Sequence, residues 1–127
     1  MTRINVGIPP AELNGRHLIA EHREIKRIPN LVNRGRYSLD DQPDTFKLGK
    51  GHVKFFYNKM FYLHKRYEAL YGECVRRGFN VTYFGESFRE IPRALWNDYI
   101  ETDRDRQIII ERITERLKTM KNNGKVH

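Results

Sequence analysis

The stretch from His52 to about Arg77 constrains this chain more than any other. Val53, Phe56, Tyr57, Met60, Leu63, His64, Tyr67, Leu70, Tyr71 and Cys74 recur at three- and four-residue intervals. That spacing repeats the 3.6-residue turn of an α-helix and lays one apolar stripe along it. The stripe must be buried, so the spacing predicts a long core helix closed by Gly78. Two further helices are expected beside it. One runs from about Ala11 to Arg27, approached by Pro9 and Pro10 and broken or kinked where Ile28 precedes Pro29. The other runs from about Thr102 to Lys121, capped by Thr102 or Asp103. Its buried side is expected to be Ile109, Ile110, Ile113, Leu117 and Met120.

Between these lie two irregular connections, 29–51 and 79–102. The first is rich in breakers such as Asn30, Asn33, Gly35, Asp40, Asp41 and Pro43. The second carries Phe79, Tyr83, Phe84, Phe88, Trp96 and Tyr99, which are expected to cover the core. The expectation is an all-α fold. It is one compact domain over residues 1–127, with three main helices, long irregular connections and a frayed tail at 122–127.

Charge narrows the function. Lys and Arg number 24 against 16 acidic residues, a formal net charge of +8. Such an excess fits a well-hydrated surface or a polyanionic partner. No run approaches the ~20 apolar residues of a membrane span, and no apolar leader opens the chain. A cytoplasmic, monomeric protein with no membrane partner is expected. Cys74 is the single cysteine, which excludes an intrachain disulfide. His17 and His22, five apart, face different sides of a helix, so no metal site and no cofactor are expected. No Ser-His-Asp or Cys-His arrangement can be assembled. Gly49-Lys50-Gly51-His52 is not a P-loop; it reads as a turn and helix start, or as backbone N–H groups touching a phosphate.

The N-terminus offers chemistry instead. A small second residue, Thr2, favours removal of the initiator methionine, which frees an α-amino group with an unperturbed pKa of roughly 7.7 to 8.0. On the first helix His17, Ala20, Glu24 and Arg27 share one side, flanked by Arg16 and Arg23. A free amine, one carboxylate and several arginines fit imine chemistry on a polyanion. Each residue also has a plain reading. Glu24 can pair with Arg27, one turn on, or with His17, two turns back on the same side, and any single arginine can be a solvated helix face.

Several segments together resemble a known family. They are Met1-Thr2-Arg3-Ile4-Asn5, His17-Leu18-Ile19-Ala20-Glu21-His22-Arg23-Glu24, Leu48 to Tyr57, Glu73 to Asn80, Ile91-Pro92 and Asp98-Tyr99-Ile100. In order and spacing the chain resembles the phage-type pyrimidine-dimer DNA glycosylases with AP lyase activity, called endonuclease V in phage. The resemblance implies a small all-α enzyme acting on double-stranded DNA that contains pyrimidine dimers. It implies excision of the dimer through an imine on the Thr2 amine, followed by strand nicking. It makes Glu24 the essential carboxylate. Arg3, His17, Arg23, Arg27, Arg112 and Arg116 become DNA contacts, with Lys121 a further match. Arg16 departs from the pattern, standing where an amide is expected. Two other readings compete: a non-catalytic basic module that binds nucleic acid, and an interaction protein whose aromatic helix pairs with a partner.

Overall fold

In a computed structural model the described residues are 2–120, the side chain of Met120 excepted. Among them there is no strand, and the fold is all-α. Helix α1 spans Gly15–Glu24, α2 Arg27–Asn33, α3 His52–Phe55, α4 Met60–Arg76 and α5 Asp103–Met120. Short 3-10 turns occupy Pro10–Glu12, Gly85–Phe88 and Arg93–Leu95. Among the described residues no helix is long and apolar enough to cross a membrane.

The core gathers on α4, whose Met60, Leu63, Tyr67, Leu70 and Cys74 are fully buried. Helix α1 packs across it through Leu18 and His22, with Ile25 and Ile28 continuing the buried row. The N-terminal segment lies within the same apolar cluster through Ile4, Val6 and Ile8. The 79–102 connection covers the other side as expected. Phe88 and Leu95 are buried, and Phe79, Phe84, Trp96 and Tyr99 pack against the cluster.

Three features differ from the expectation. The first helix does not run unbroken from Ala11. A 3-10 turn precedes it, and Asn14 then caps α1 by accepting a hydrogen bond from the His17 backbone N–H at 2.8 Å. The break falls at Ile25 and Lys26, earlier than Ile28. Pro29 then sits in the first turn of α2, where its missing N–H costs no hydrogen bond. Residues 29–33, expected as loop, are therefore helix.

The long helix is also divided. Residues 56–59 separate α3 from α4, because side chains take the carbonyls that would have continued the ladder. Gln42 Nε2 donates to the carbonyls of Lys54 and Phe55 at 3.0 and 3.2 Å, and Lys59 Nζ donates to that of Phe55 at 3.0 Å. Gly51 precedes α3 with φ +93°, a left-handed conformation that favours glycine.

The third difference is the buried side of α5. Thr102 caps the helix through a reciprocal pair: its hydroxyl accepts from Asp105 N–H, and the Asp105 carboxylate accepts from Thr102 N–H, both at 3.1 Å. Of the five expected apolar residues, Ile109 is buried and Ile113 partly so, while Ile110 and Leu117 are exposed. The core covers only the first half of α5. Beyond Ile113 the described side chains are exposed, Arg116 among them. The expectation of a frayed tail at 122–127 lies outside the described residues.

Candidate active site

The N-terminal segment is fixed before any site chemistry begins. Ile4 N–H donates to Nε2 of buried His52 at 2.9 Å. The Asn5 amide donates to Glu21 Oε1 at 2.8 Å. Glu21 is itself held by Arg66, whose Nε and Nη2 reach its two oxygens at 2.7 and 2.9 Å. A third nitrogen of Arg66 donates to the Ile8 carbonyl at 2.7 Å. Arg106 Nε donates to the Gly7 carbonyl at 3.2 Å. Residues 4–8 are thus tied to α1, α3, α4 and α5, and Thr2 and Arg3 project from that anchored base.

Two adjoining cavities open beside it. One, of about 410 Å³, is walled by Thr2, Arg3, Leu48, Gly49, His52, Val53 and Arg112. The other, of about 340 Å³, is walled by Arg3, Asn5, Arg16, His17, Ala20, Glu21, Glu24, Arg112 and Arg116. Arg3 and Arg112 belong to both. Cap Asn14 starts α1 so that His17, Ala20, Glu21 and Glu24 line up along the second cavity, one helical turn apart.

The sequence-predicted residues separate here. Thr2, Arg3, His17, Glu24, Arg112 and Arg116 meet at the two cavities. Arg23 and Arg27 line neither and lie on the exposed flank of α1 and α2. Lys121 lies outside the described residues. Among the described residues Glu24 makes neither of the pairs considered; its carboxylate meets the neighbouring Arg23 at 3.3 Å. The Gly49–His52 segment forms the turn and helix start, with His52 N–H donating to the Gly49 carbonyl at 3.1 Å. Its contribution to the site is wall, through Gly49 and His52.

The second cavity is electropositive. Burial lowers the His17 pKa below its ordinary value, and Arg3, Arg116 and Arg16 push it further down. Arg3 is lowered for the same reasons, first by burial and then by Arg112 and Arg116. Among the described residues two buried nitrogens, His17 Nδ1 and Arg112 Nε, have no hydrogen-bond partner. Buried polar atoms are nearly always paired, and two orphans in one cationic cavity mark a place for an anionic or hydrogen-bonding ligand. Among the described residues no cluster of three His, Cys, Asp or Glu side chains has the arrangement of a metal site.

Residues 1–86 match the protein family described as pyrimidine dimer DNA glycosylase. The chain belongs to that family. Membership gives it DNA glycosylase activity on pyrimidine dimers, and hence DNA as its substrate. The matched residues include Thr2, Arg3, His17 and Glu24 of the two cavities. Arg112 and Arg116 lie beyond the match, and only the fold brings them to the same place. Sequence reasoning missed His52, Asn5, Glu21 and Arg66. A signal was present for two of them. Glu21 falls in the buried row with Leu18 and Ile25, and Arg66 in that of Leu63, Tyr67 and Leu70. A charge in core register is costly unless paired, so two such charges call for each other.

Proposed function

We propose that this glycosylase works through the α-amino group of Thr2, exposed by removal of Met1, and that the same imine lets it nick the abasic strand. The observation that carries the reading is the juxtaposition of Thr2 and Glu24 on two cavities whose common wall is Arg3 and Arg112.

The neutral amine attacks C1′ of the 5′ sugar of the dimer. The bond from C1′ to the pyrimidine breaks, and the base leaves with its electron pair and gains a proton. The sugar ring opens as nitrogen loses a proton and the C1′ imine forms. A C2′ proton is then removed, and its electron pair expels the 3′ phosphate by β-elimination. Amines act in this way only when unprotonated. At pH 7 an unperturbed α-amine is neutral in roughly one molecule in ten. Neighbouring guanidinium groups favour the neutral form and raise that fraction.

Glu24 stabilises the positive charge that develops on the sugar and carries protons during imine formation and elimination. Arg3, Arg112 and Arg116 grip phosphates around the lesion, with His17 beside them. Arg23 and Arg27, on the exposed flank, contact phosphates further out. Such contacts position DNA without reading its sequence, which suits an enzyme that recognises a crosslinked pair of bases. A poorly stacked lesion bends at lower cost than intact duplex. A nucleotide must leave the stack before the amine can reach C1′.

Borohydride reduction in the presence of ultraviolet-irradiated duplex tests the proposal. Peptide mapping is expected to find the reduced adduct on Thr2 nitrogen, and intact mass is expected to show Met1 absent from active protein. Acetylation of the terminus should abolish trapping. Dimer excision with no adduct and no nicking would instead mean a glycosylase that works without an imine, and salt-sensitive binding with no excision at all would support the non-catalytic basic module against the family reading.

A further inference from the structure

His52 is 3% exposed and wedged edge-on between Phe46 and Phe56, with ring centroids 5.4 Å away in each case. Both of its nitrogens are in use, and both partners are backbone groups with fixed roles. Ile4 N–H can only donate, so Nε2 accepts at 2.9 Å. The Lys47 carbonyl can only accept, so Nδ1 carries the hydrogen and donates at 2.8 Å. The geometry therefore admits one state of the ring, the neutral Nδ1–H tautomer. A second proton, on Nε2, would point at Ile4 N–H and set two donors against each other.

We infer that His52 is a positioning residue and an acid-released latch: its neutral ring holds Ile4 and so aims Thr2 into the shared cavity, and its protonation frees that segment. The inference rests on Thr2 as nucleophile. Ile4 is fully buried and two residues from Thr2, and His52 itself walls the Thr2 cavity. The ring also ties that segment to the loop at Lys47, which leads to Leu48 and Gly49 on the cavity wall.

The charged groups facing the ring are Arg3 from the N-terminal segment, which disfavours the cation, and Glu21 from α1, which favours it. Burial is the largest influence and disfavours the cation, so the His52 pKa lies below its ordinary value. Well above about pH 6.5 the ring is therefore neutral in folded and unfolded chains alike, and the latch is intact. As pH falls the unfolded chain takes up its proton first, which weakens the fold. The native latch opens only below the lowered native value.

The experiment uses the full chain, with nitrogen-15 spectra of the His52 ring and borohydride trapping rates on irradiated duplex between pH 5 and 8.5. The ring spectra should show the Nδ1–H tautomer at pH 7.5, and the Ile4 amide should shift as the ring protonates. An Nε2–H tautomer at neutral pH would overturn the latch whatever the nucleophile is. Absence of a Thr2 adduct in the unaltered protein would instead sink the reading of the nucleophile.

Two variants separate positioning from mere packing. His52→Gln places an acceptor near Nε2 and cannot titrate; His52→Asn keeps a donor near Nδ1 and leaves Ile4 N–H unmet. Misplacing a reacting group by about 1 Å costs on the order of 100-fold, so His52→Asn should trap about 100-fold more slowly. Gln should restore most of the rate at pH 8. In the unaltered protein the logarithm of the rate should fall with unit slope as the amine protonates, then more steeply as His52 does. His17 contributes equally in both proteins, so the extra steepness missing in His52→Gln reports the latch. Identical acid limbs in the two proteins across the pH at which the ring spectra show His52 protonating, or normal trapping by a folded His52→Asn, would overturn it. If neither variant folds, the ring spectra and the acid limb of the unaltered protein still decide.

Discussion

Helix α1 carries two carboxylates one turn apart, and their surroundings are opposites. Glu21 is buried, gripped by Arg66 through both oxygens and by the Asn5 amide. Glu24 is partly exposed at the wall of a cationic cavity, meets exposed Arg23, acts electrostatically on Arg3, and shares that cavity with nitrogens of His17 and Arg112 that have no partner among the described residues. A satisfied network and an unsatisfied one cost different things. The first locks the chain in place because removing either member leaves a charge stranded. The second keeps hydrogen-bonding capacity in reserve for something that arrives later. The fold thus spends one carboxylate of α1 on placing the N-terminal segment and leaves the other facing the space where a ligand would sit.

The comparison can be broken most severely at Glu24. Glu24→Gln should lower the trapping rate by about 10²- to 10⁴-fold, the range for a lost acid–base group, while leaving thermal unfolding near that of the parent. A large loss of stability would put Glu24 in the same class as Glu21.

Arg66→Met should do the reverse. It strands Glu21 inside the protein, and urea unfolding is expected to register a loss of about 3–5 kcal/mol. Trapping should weaken only as far as the N-terminal segment loosens. A stability change under about 1 kcal/mol would mean that the Glu21 network is not the structural half of the pair.

Arg116→Gln probes the phosphate grip. Stability should hold, and the slope of log affinity against log salt for duplex DNA should flatten by about 0.9, the value for one lost phosphate contact. An unchanged slope would remove Arg116 from the interface.

The smallest expected effect is the proton linkage at His17. Its pKa is held down in the free protein, first by burial and then by three arginines. A phosphate would offset those arginines and raise the value, so binding should take up a proton. Affinity is then expected to rise severalfold between pH 7.5 and 5.5, because a tenfold change in the proton affinity of one group alters DNA affinity by about tenfold at most. His17→Gln should flatten that part of the profile.

What the sequence disclosed follows from where each signal lives. The stripe on α4 and the row Leu18, His22, Ile25 and Ile28 are local periodicities, and the fold keeps them. The interruption at 56–59 depends on Gln42, an amide more than ten residues away whose reach no periodicity encodes. The exposed half of α5 has the same origin: a helix shows its apolar residues in sequence but not how far its neighbours extend. In the site, the second-position threonine and the charged side of the first helix pointed to Thr2 and Glu24, and the resemblance supplied their roles and the full set of arginines. His52 stayed hidden because a lone histidine after a glycine turn looks like any other helix start. Its role appears only when Ile4, 48 residues earlier, is brought to it.

The single tryptophan also has a use. Trp96 is half-buried against His64 and Phe61 of α4, at ring separations of 5.5 and 5.8 Å, and it lines neither cavity. Its fluorescence is therefore a built-in gauge of whether the 79–102 connection stays docked on α4. An emission change when duplex is added would mean that this remote packing shifts as the lesion is engaged, and a silent signal would mean that the scaffold stays rigid.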